Sequence, residues 1–131
     1  MSEHFQPKEF ASKDGKPSPY PLVVQQGLYD LLEMLRAKFG KAIYINSGYR
    51  SPEHNAAVGG VKNSYHVQGM AADIRPRYGK DFEHELGRLK IIANKECPGG
   101  VGFYKNFVHV DFGPYRQRWC QNESDLQRQT H

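Results

Sequence analysis

Nowhere in the 131 residues does an apolar run approach the ~18 that a membrane-spanning helix needs. The opening stretch MSEHFQPKEF has no apolar core of the signal-peptide kind, so a soluble product made without a secretory leader is expected. Cysteine is scarce. Cys97 and Cys120 stand 23 positions apart with no C-x-x-C, which argues against a disulfide scaffold and a thiolate zinc knuckle, and no bridge between them is predicted. Charge of one sign is never concentrated either: 18 Lys+Arg against 14 Asp+Glu leave a net +4 spread along the chain. Without a basic block or a nucleic-acid motif, no nucleic-acid partner is expected, and the charge reads as ordinary solubilising charge. What the chain does have is 38% hydrophobic residues, with 8 Tyr, 7 Phe and 1 Trp. That suffices for one small core, and the length suits one domain on the usual ~100–200 residues, expected as a monomer.

Periodicity divides the chain into an α+β pattern. Residues 1–19 are polar, carry Pro17 and Pro19, and are expected as an extended arm over the surface. From Leu22 to Phe39, Val24, Leu28, Leu31, Leu32, Leu35 and Phe39 recur at helical spacing and Gly40 supplies a stop. Ala42 to Ser47 alternates as a strand, and Ser51-Pro52 opens a short helix that must end at Gly59-Gly60. The small and polar residues 61–69 predict a loop, and Ala71 to Arg75 a strand. Asp81 is placed to cap a helix over Phe82 to Lys95, which Pro98-Gly99-Gly100 breaks. Gly100 to Tyr104 and Phe107 to Phe112 read as strands joined by a tight turn at Lys105-Asn106. Residues 115–131 are expected as a polar tail. The sum is a small, mostly antiparallel sheet with helices packed on one side.

Six histidines are unevenly placed. The run from His84 to Arg88 fails the H-E-x-x-H zinc pattern because Arg88 stands where the second histidine belongs. More telling is His66, seven positions before Asp73, with Gly69, Ala71 and Ala72 between them leaving room for the chain to fold back. On the strand from Ala71 to Arg75, Asp73 shares a face with Ala71 and Arg75; on the later strand, His109 and Asp111 lie opposite Val108 and Val110. If the two strands pair with these faces aligned, His66, Asp73 and His109 converge. Two imidazoles and one carboxylate with a fourth position open is the pattern of a catalytic Zn²⁺ site. Spacing alone leaves a plainer reading open, in which the histidines are surface residues and Asp73 pairs with Arg75 or Arg77.

Four strings occur in order: Ser47-Gly48-Tyr49-Arg50-Ser51-Pro52; Ser64-Tyr65-His66 through Gly69 and Ala71 to Asp73; Gly100 to Tyr104; and Phe107-Val108-His109-Val110-Asp111. Together they resemble the zinc D-Ala-D-Ala carboxypeptidases, above all the small single-domain members often encoded by phages and prophages, with the fold shared by the hedgehog signalling domain. The resemblance spans about Phe5 to Pro114. It implies Zn²⁺ held by His66, Asp73 and His109 and hydrolysis of peptide bonds in bacterial peptidoglycan, as a carboxypeptidase or as an endopeptidase of endolysin type. It also implies that Arg50 binds substrate and stabilises the developing oxyanion, with Ser64 and Tyr65 beside the peptide. The wall would be reached after release from a cell or on a phage particle. One position departs from the pattern: Asn106 stands three residues before the last histidine, where the family carries an acidic general base. Asp111 is the first substitute, as base or as a group orienting His109, and Glu53 the second. The same departure supports an alternative, a zinc-binding wall-binding or phage structural module with little or no activity.

Overall fold

The computed structural model describes residues 2–11, 13, 25–48, 52–58, 65, 66 and 68–121. A short 3-10 helix at Pro7–Phe10 precedes α1 (Gln26–Phe39), β1 (Tyr44–Ser47), α2 (Pro52–Ala57), β2 (Ala71–Arg75), α3 (Phe82–Glu96), β3 (Gly100–Phe103), β4 (Val108–Asp111) and β5 (Gln117–Cys120). Among the described residues the five strands form one sheet in the order β1-β2-β4-β3-β5, antiparallel except for the parallel pair β3 and β5. The expected α+β architecture is what forms. Among the same residues, no helix is long and apolar enough to cross a membrane.

Burial follows the periodicities. In α1, Leu28, Leu31, Leu32, Leu35 and Phe39 make the inner stripe, each such side chain contributing about 1.5–3 kcal/mol when fully buried. The helix ends as expected at Gly40, whose φ of 78° lets its N–H close on the Arg36 carbonyl. Its start is Gln26; the expected first turn falls on residues 22–24, outside the described ones. In α3, Leu86, Leu89 and Ala93 face the sheet, while Phe82 is only half-buried and leans on Tyr78. Asp81 occupies the position before α3 but makes no side-chain capping bond, because its backbone is not in the extended conformation that aims a cap inward. From the sheet, Ala72, Ile74, Val101, Val108 and Val110 complete the core, leaving the alternate residues on the other face.

Two expectations about the chain ends are corrected. The N-terminal arm does not merely lie over the surface: Phe5 and Phe10 are fully buried, and Phe10 packs edge-on to Tyr29 with ring centroids 5.1 Å apart. Two large rings in a polar segment have too much apolar area to remain in water. The polar tail, in turn, begins with a strand. β5 is fastened by Arg118, whose guanidinium donates to the carbonyl of Asn94 (2.9 Å) in the last turn of α3 and to those of Cys97 (2.7 Å) and Gly99 (2.7 Å) beyond it. Residues 122–131 lie outside the described ones. Cys97 in the core and Cys120 on β5 are both free thiols.

Candidate metal centre

The face of the sheet turned away from the core carries the site. β2 and β4 pair so that Asp73 lies directly across from His109, while the hairpin at Lys105-Asn106, closed by Tyr104 N–H on the Phe107 carbonyl at 3.1 Å, joins β4 to β3 on its other side and sets Gly102 across from His109. His66 arrives from the segment before β2. Met70 N–H bonds the Tyr65 carbonyl (2.9 Å) and Gly69 N–H the His66 carbonyl (3.2 Å), a reversal that requires Gly69 at φ 71°. The three expected ligands therefore meet. One donor atom each from His66, Asp73 and His109 lies within 4.8 Å of the others, and all three side chains are buried.

Their outer partners decide which atoms face inward. His66 Nδ1 lies 2.7 Å from the Gly48 carbonyl, which can only accept, so Nδ1 carries the proton and Nε2 turns toward Asp73 Oδ1 at 3.2 Å. His109 is held the other way round: Nε2 meets Asp111 Oδ2 at 2.8 Å, and Nδ1 meets Asp73 Oδ1 at 3.1 Å. Asp111 is itself fixed, its Oδ1 accepting the backbone N–H of Gly100 and of Gly113, each at 2.9 Å. A Cβ at Gly100 would stand 2.5 Å from Asp111 Oδ2, so glycine is what lets β3 approach.

The donor set fits a small divalent cation. With metal–ligand bonds of about 2.0–2.1 Å, neighbouring ligands of a tetrahedral ion stand about 3.3 Å apart, close to the observed 3.1 and 3.2 Å. In the metal-free chain the same contacts are filled by protons. Burial works against a charged His109, yet its hydrogen bonds with Asp111 and Asp73 and their charges outweigh that and raise it from 6.5 to about 9. Asp73 feels the converse: burial would raise it, but the His66 charge and the bonds from both imidazoles hold it well below the usual carboxylate range. The protonated His109 thus stabilises the metal-free fold fully below pH 6.5, and that contribution is lost as pH rises through about 9. The melting temperature of metal-free protein should fall across that window. Bound metal takes the proton's place and should flatten the fall, which thermal denaturation at stepped pH with and without Zn²⁺ would read.

Other expected residues are placed as follows. Tyr65 lies beside the centre with its ring against Gly113, where a Cβ would stand 2.7 Å away. Asn106 is exposed in the hairpin turn. Asp111 stands behind His109, engaged through both oxygens. Arg50 and Ser64 lie outside the described residues, as does the side chain of Glu53.

The sequence reading missed Trp119. It projects from β5 over Gly102, with its ring centroid 5.2 Å from that of His109 and its Nε1–H donating to the Tyr104 hydroxyl at 3.0 Å. The signal was present as the one tryptophan of the chain, in a stretch read as tail. A Cβ on Gly102 would stand 2.5 Å from the indole. Gly102→Ala should therefore displace the ring, and overpacking of that kind costs about 1–3 kcal/mol. A shifted tryptophan emission and a lowered unfolding midpoint would show it; an unchanged spectrum would count against this packing.

Two imidazoles and a carboxylate with outer partners in place, on the face of the sheet turned away from the core, define a candidate hydrolytic metal centre. The family pattern of peptidase M15 matches residues 3–111, and the chain belongs to that family. It is similar to the peptidoglycan L,D-endopeptidase MepK of Escherichia coli (strain K12), 36% identical over 105 residues that cover 71% of this chain and 53% of that protein. It is also similar to the probable peptidoglycan L,D-endopeptidase MepK of Haemophilus influenzae (strain ATCC 51907 / DSM 11121 / KW20 / Rd), 41% identical over 81 residues that cover 56% of this chain and 41% of that one. The chain thus spans about half the length of the curated relatives it matches.

Proposed function

We propose that this chain is a zinc-dependent endopeptidase that hydrolyses an L,D peptide bond within peptidoglycan. The observation that carries the reading is the convergence of His66 Nε2, Asp73 Oδ1 and His109 Nδ1 with the opposite nitrogens of both imidazoles already bonded. The names of the relatives favour an endopeptidase over the carboxypeptidase also expected from sequence. Bound zinc would polarise the scissile carbonyl and supply hydroxide near neutral pH.

The chain's own groups would do the rest. Gly48 and Asp111 hold the two imidazoles in the tautomers that leave one nitrogen of each facing Asp73. Arg50 would bind the peptide and steady the charge growing on its carbonyl oxygen, because a guanidinium stays charged and presents several fixed donors. Arg50→Ala should retain metal and lose kcat/KM; an unaltered value removes that role. Asp111 serves better as a positioning residue than as the general base, since it accepts two backbone N–H bonds and one imidazole bond. Glu53 is then the remaining carboxylate for that work.

The test is direct. Zinc-loaded protein is incubated with L,D-crosslinked muropeptides and, separately, with a peptide ending in D-Ala-D-Ala, and the products are followed by mass spectrometry. Release of crosslinked partners supports the proposal; loss of terminal D-Ala alone moves it to a carboxypeptidase. No product from either, with zinc confirmed bound, sinks it. One observation favours a second reading, a metal-bearing wall-binding module: the Asn106 amide cannot accept a proton from water, and Asp111 is already engaged. Retention on peptidoglycan without turnover would select that reading.

A further inference from the structure

At the far end of β2 from His66, the connections α1–β1 and β2–α3 enclose a cleft of about 620 Å³, within the ~300–1,000 Å³ range of ligand sites. None of the ligands of the metal centre lines it. Tyr44 and Tyr78 stand in its wall, 39% and 63% exposed, two of the large apolar side chains the fold leaves in water. They are held by Arg75, whose guanidinium carbon lies 3.6 Å from the Tyr78 ring centroid and 5.0 Å from that of Tyr44. Arg75 is fixed in turn, donating from Nε to Asn46 Oδ1 at 2.8 Å and from Nη1 to the Pro76 carbonyl at 3.0 Å. Two exposed rings ordered in advance lose little freedom when a ligand settles on them.

Charge narrows the ligand. Lys41, Arg77 and Lys80 line the cleft with Asp81 and Glu85. Glu85 already pairs with Lys41 at 3.4 Å and with Arg88 at 2.6 Å. The balance is too even for the uncompensated basic stripe that a polyanion demands. Flat rings beside a mixed rim of ammonium, guanidinium and carboxylate groups suit a neutral polyol, with an apolar C–H face to stack and hydroxyls to hydrogen-bond at its edge.

Position points the same way. Tyr44 is the cross-strand partner of Arg75, and Arg75 follows Asp73 by two residues on the same face of β2. At ~3.3 Å per residue, Arg75 and its partner Tyr44 in the cleft wall lie about 7 Å along the strand from Asp73, the length of two extended peptide residues. We infer that this cleft, built on Tyr44, Tyr78 and Arg75, is a carbohydrate subsite that takes the N-acetylated sugar strand of the wall while its peptide reaches Asp73 and His109. The assignment of that sugar strand rests on the proposed endopeptidase function, but the binding itself does not require turnover.

Metal-free full-length protein, titrated with soluble N-acetylglucosamine oligomers and followed by backbone amide NMR, separates the two. Saturable shifts confined to residues 39–44 and 76–85, insensitive to salt, are expected. Tyr78→Ala should weaken binding about tenfold or more, whereas Tyr78→Phe, which keeps the ring, should stay within about threefold. With zinc bound, Tyr78→Ala should also lower kcat/KM for sugar-linked crosslinks relative to that for the sugar-free peptide. Absence of saturable shifts at ~10 mM oligosaccharide, shifts outside the cleft, or a cleft that responds only to a duplex oligonucleotide would each overturn the assignment. Sugar binding in a protein that cuts no wall peptide would leave the subsite standing and remove the endopeptidase alone.

Discussion

Asp73→Ala is expected to abolish stoichiometric metal binding and, with it, hydrolysis. Asp73 Oδ1 is the atom on which both imidazoles converge, at 3.2 Å from His66 Nε2 and 3.1 Å from His109 Nδ1. Without it, two buried nitrogens remain with no third ligand, and the one ligand that carries a negative charge to offset a dication is gone. The loss of affinity should exceed the ~10–100-fold that removing an outer partner of a metal ligand costs. Turnover should fall by more than the ~10²–10⁴ of a lost proton-transfer group, because the metal itself goes. Stability moves too, since the metal-free fold uses Asp73 to hold the charge on His109. Elemental analysis after dialysis against a stated zinc concentration reads the first effect. Asp73→Asn, which keeps the shape and removes the charge, separates charge from packing: full zinc retention in Asp73→Asn would mean that the centre is held by something other than this carboxylate.

That this carboxylate could be singled out from sequence depended on strand alternation. A period of two along β2 and β4 puts Ala72, Ile74, Val108 and Val110 in the core and leaves Asp73 and His109 on the other face, and keeping those apolar residues inward permits only registers that hold Asp73 and His109 on one face. His66 was legible through Gly69, whose left-handed backbone folds the preceding segment back onto the sheet. Features that depend on distant partners were not legible. Phe5 and Phe10 have no periodic neighbours: Phe5 packs on Phe10, and Phe10 on Tyr29 of α1 and on Gly48, which the chain reaches only after a helix and a strand. β5 looked like tail because Gln117-Arg118-Trp119-Cys120 shows no alternation of polar and apolar residues; what makes it a strand is the edge that β3 offers and the carbonyls beyond α3 that Arg118 closes. The cleft around Tyr78 is assembled from two connections that have no sequence relation to one another.

Asp111 is the case in which alternation gave the right face and the wrong distance. Two residues along a strand are about 7 Å apart, yet the tilt of the His109 ring brings Nε2 to 2.8 Å from Oδ2. A positioning role makes a specific demand on Asp111→Asn. The amide oxygen can still accept the Gly100 and Gly113 N–H groups, so above about pH 9, where His109 no longer carries the charge that Asp111 holds, the unfolding midpoint should stay near that of the parent protein. Its NH₂ then faces His109 Nε2, two donors opposed, and the imidazole relieves this by moving its proton to Nδ1, the nitrogen that faces Asp73. A proton there blocks that donor atom. Zinc affinity should drop about 10–100-fold with the fold intact, and the drop should be read by competition with a chelator rather than by activity. Asp111→Ala should do something different: it also strands two backbone N–H groups at about 1–3 kcal/mol for each that stays buried without a partner, so stability and affinity fall together. Were Asp111 the general base instead, Asp111→Asn would bind zinc as tightly as the parent and lose only turnover, and that pattern would reassign it.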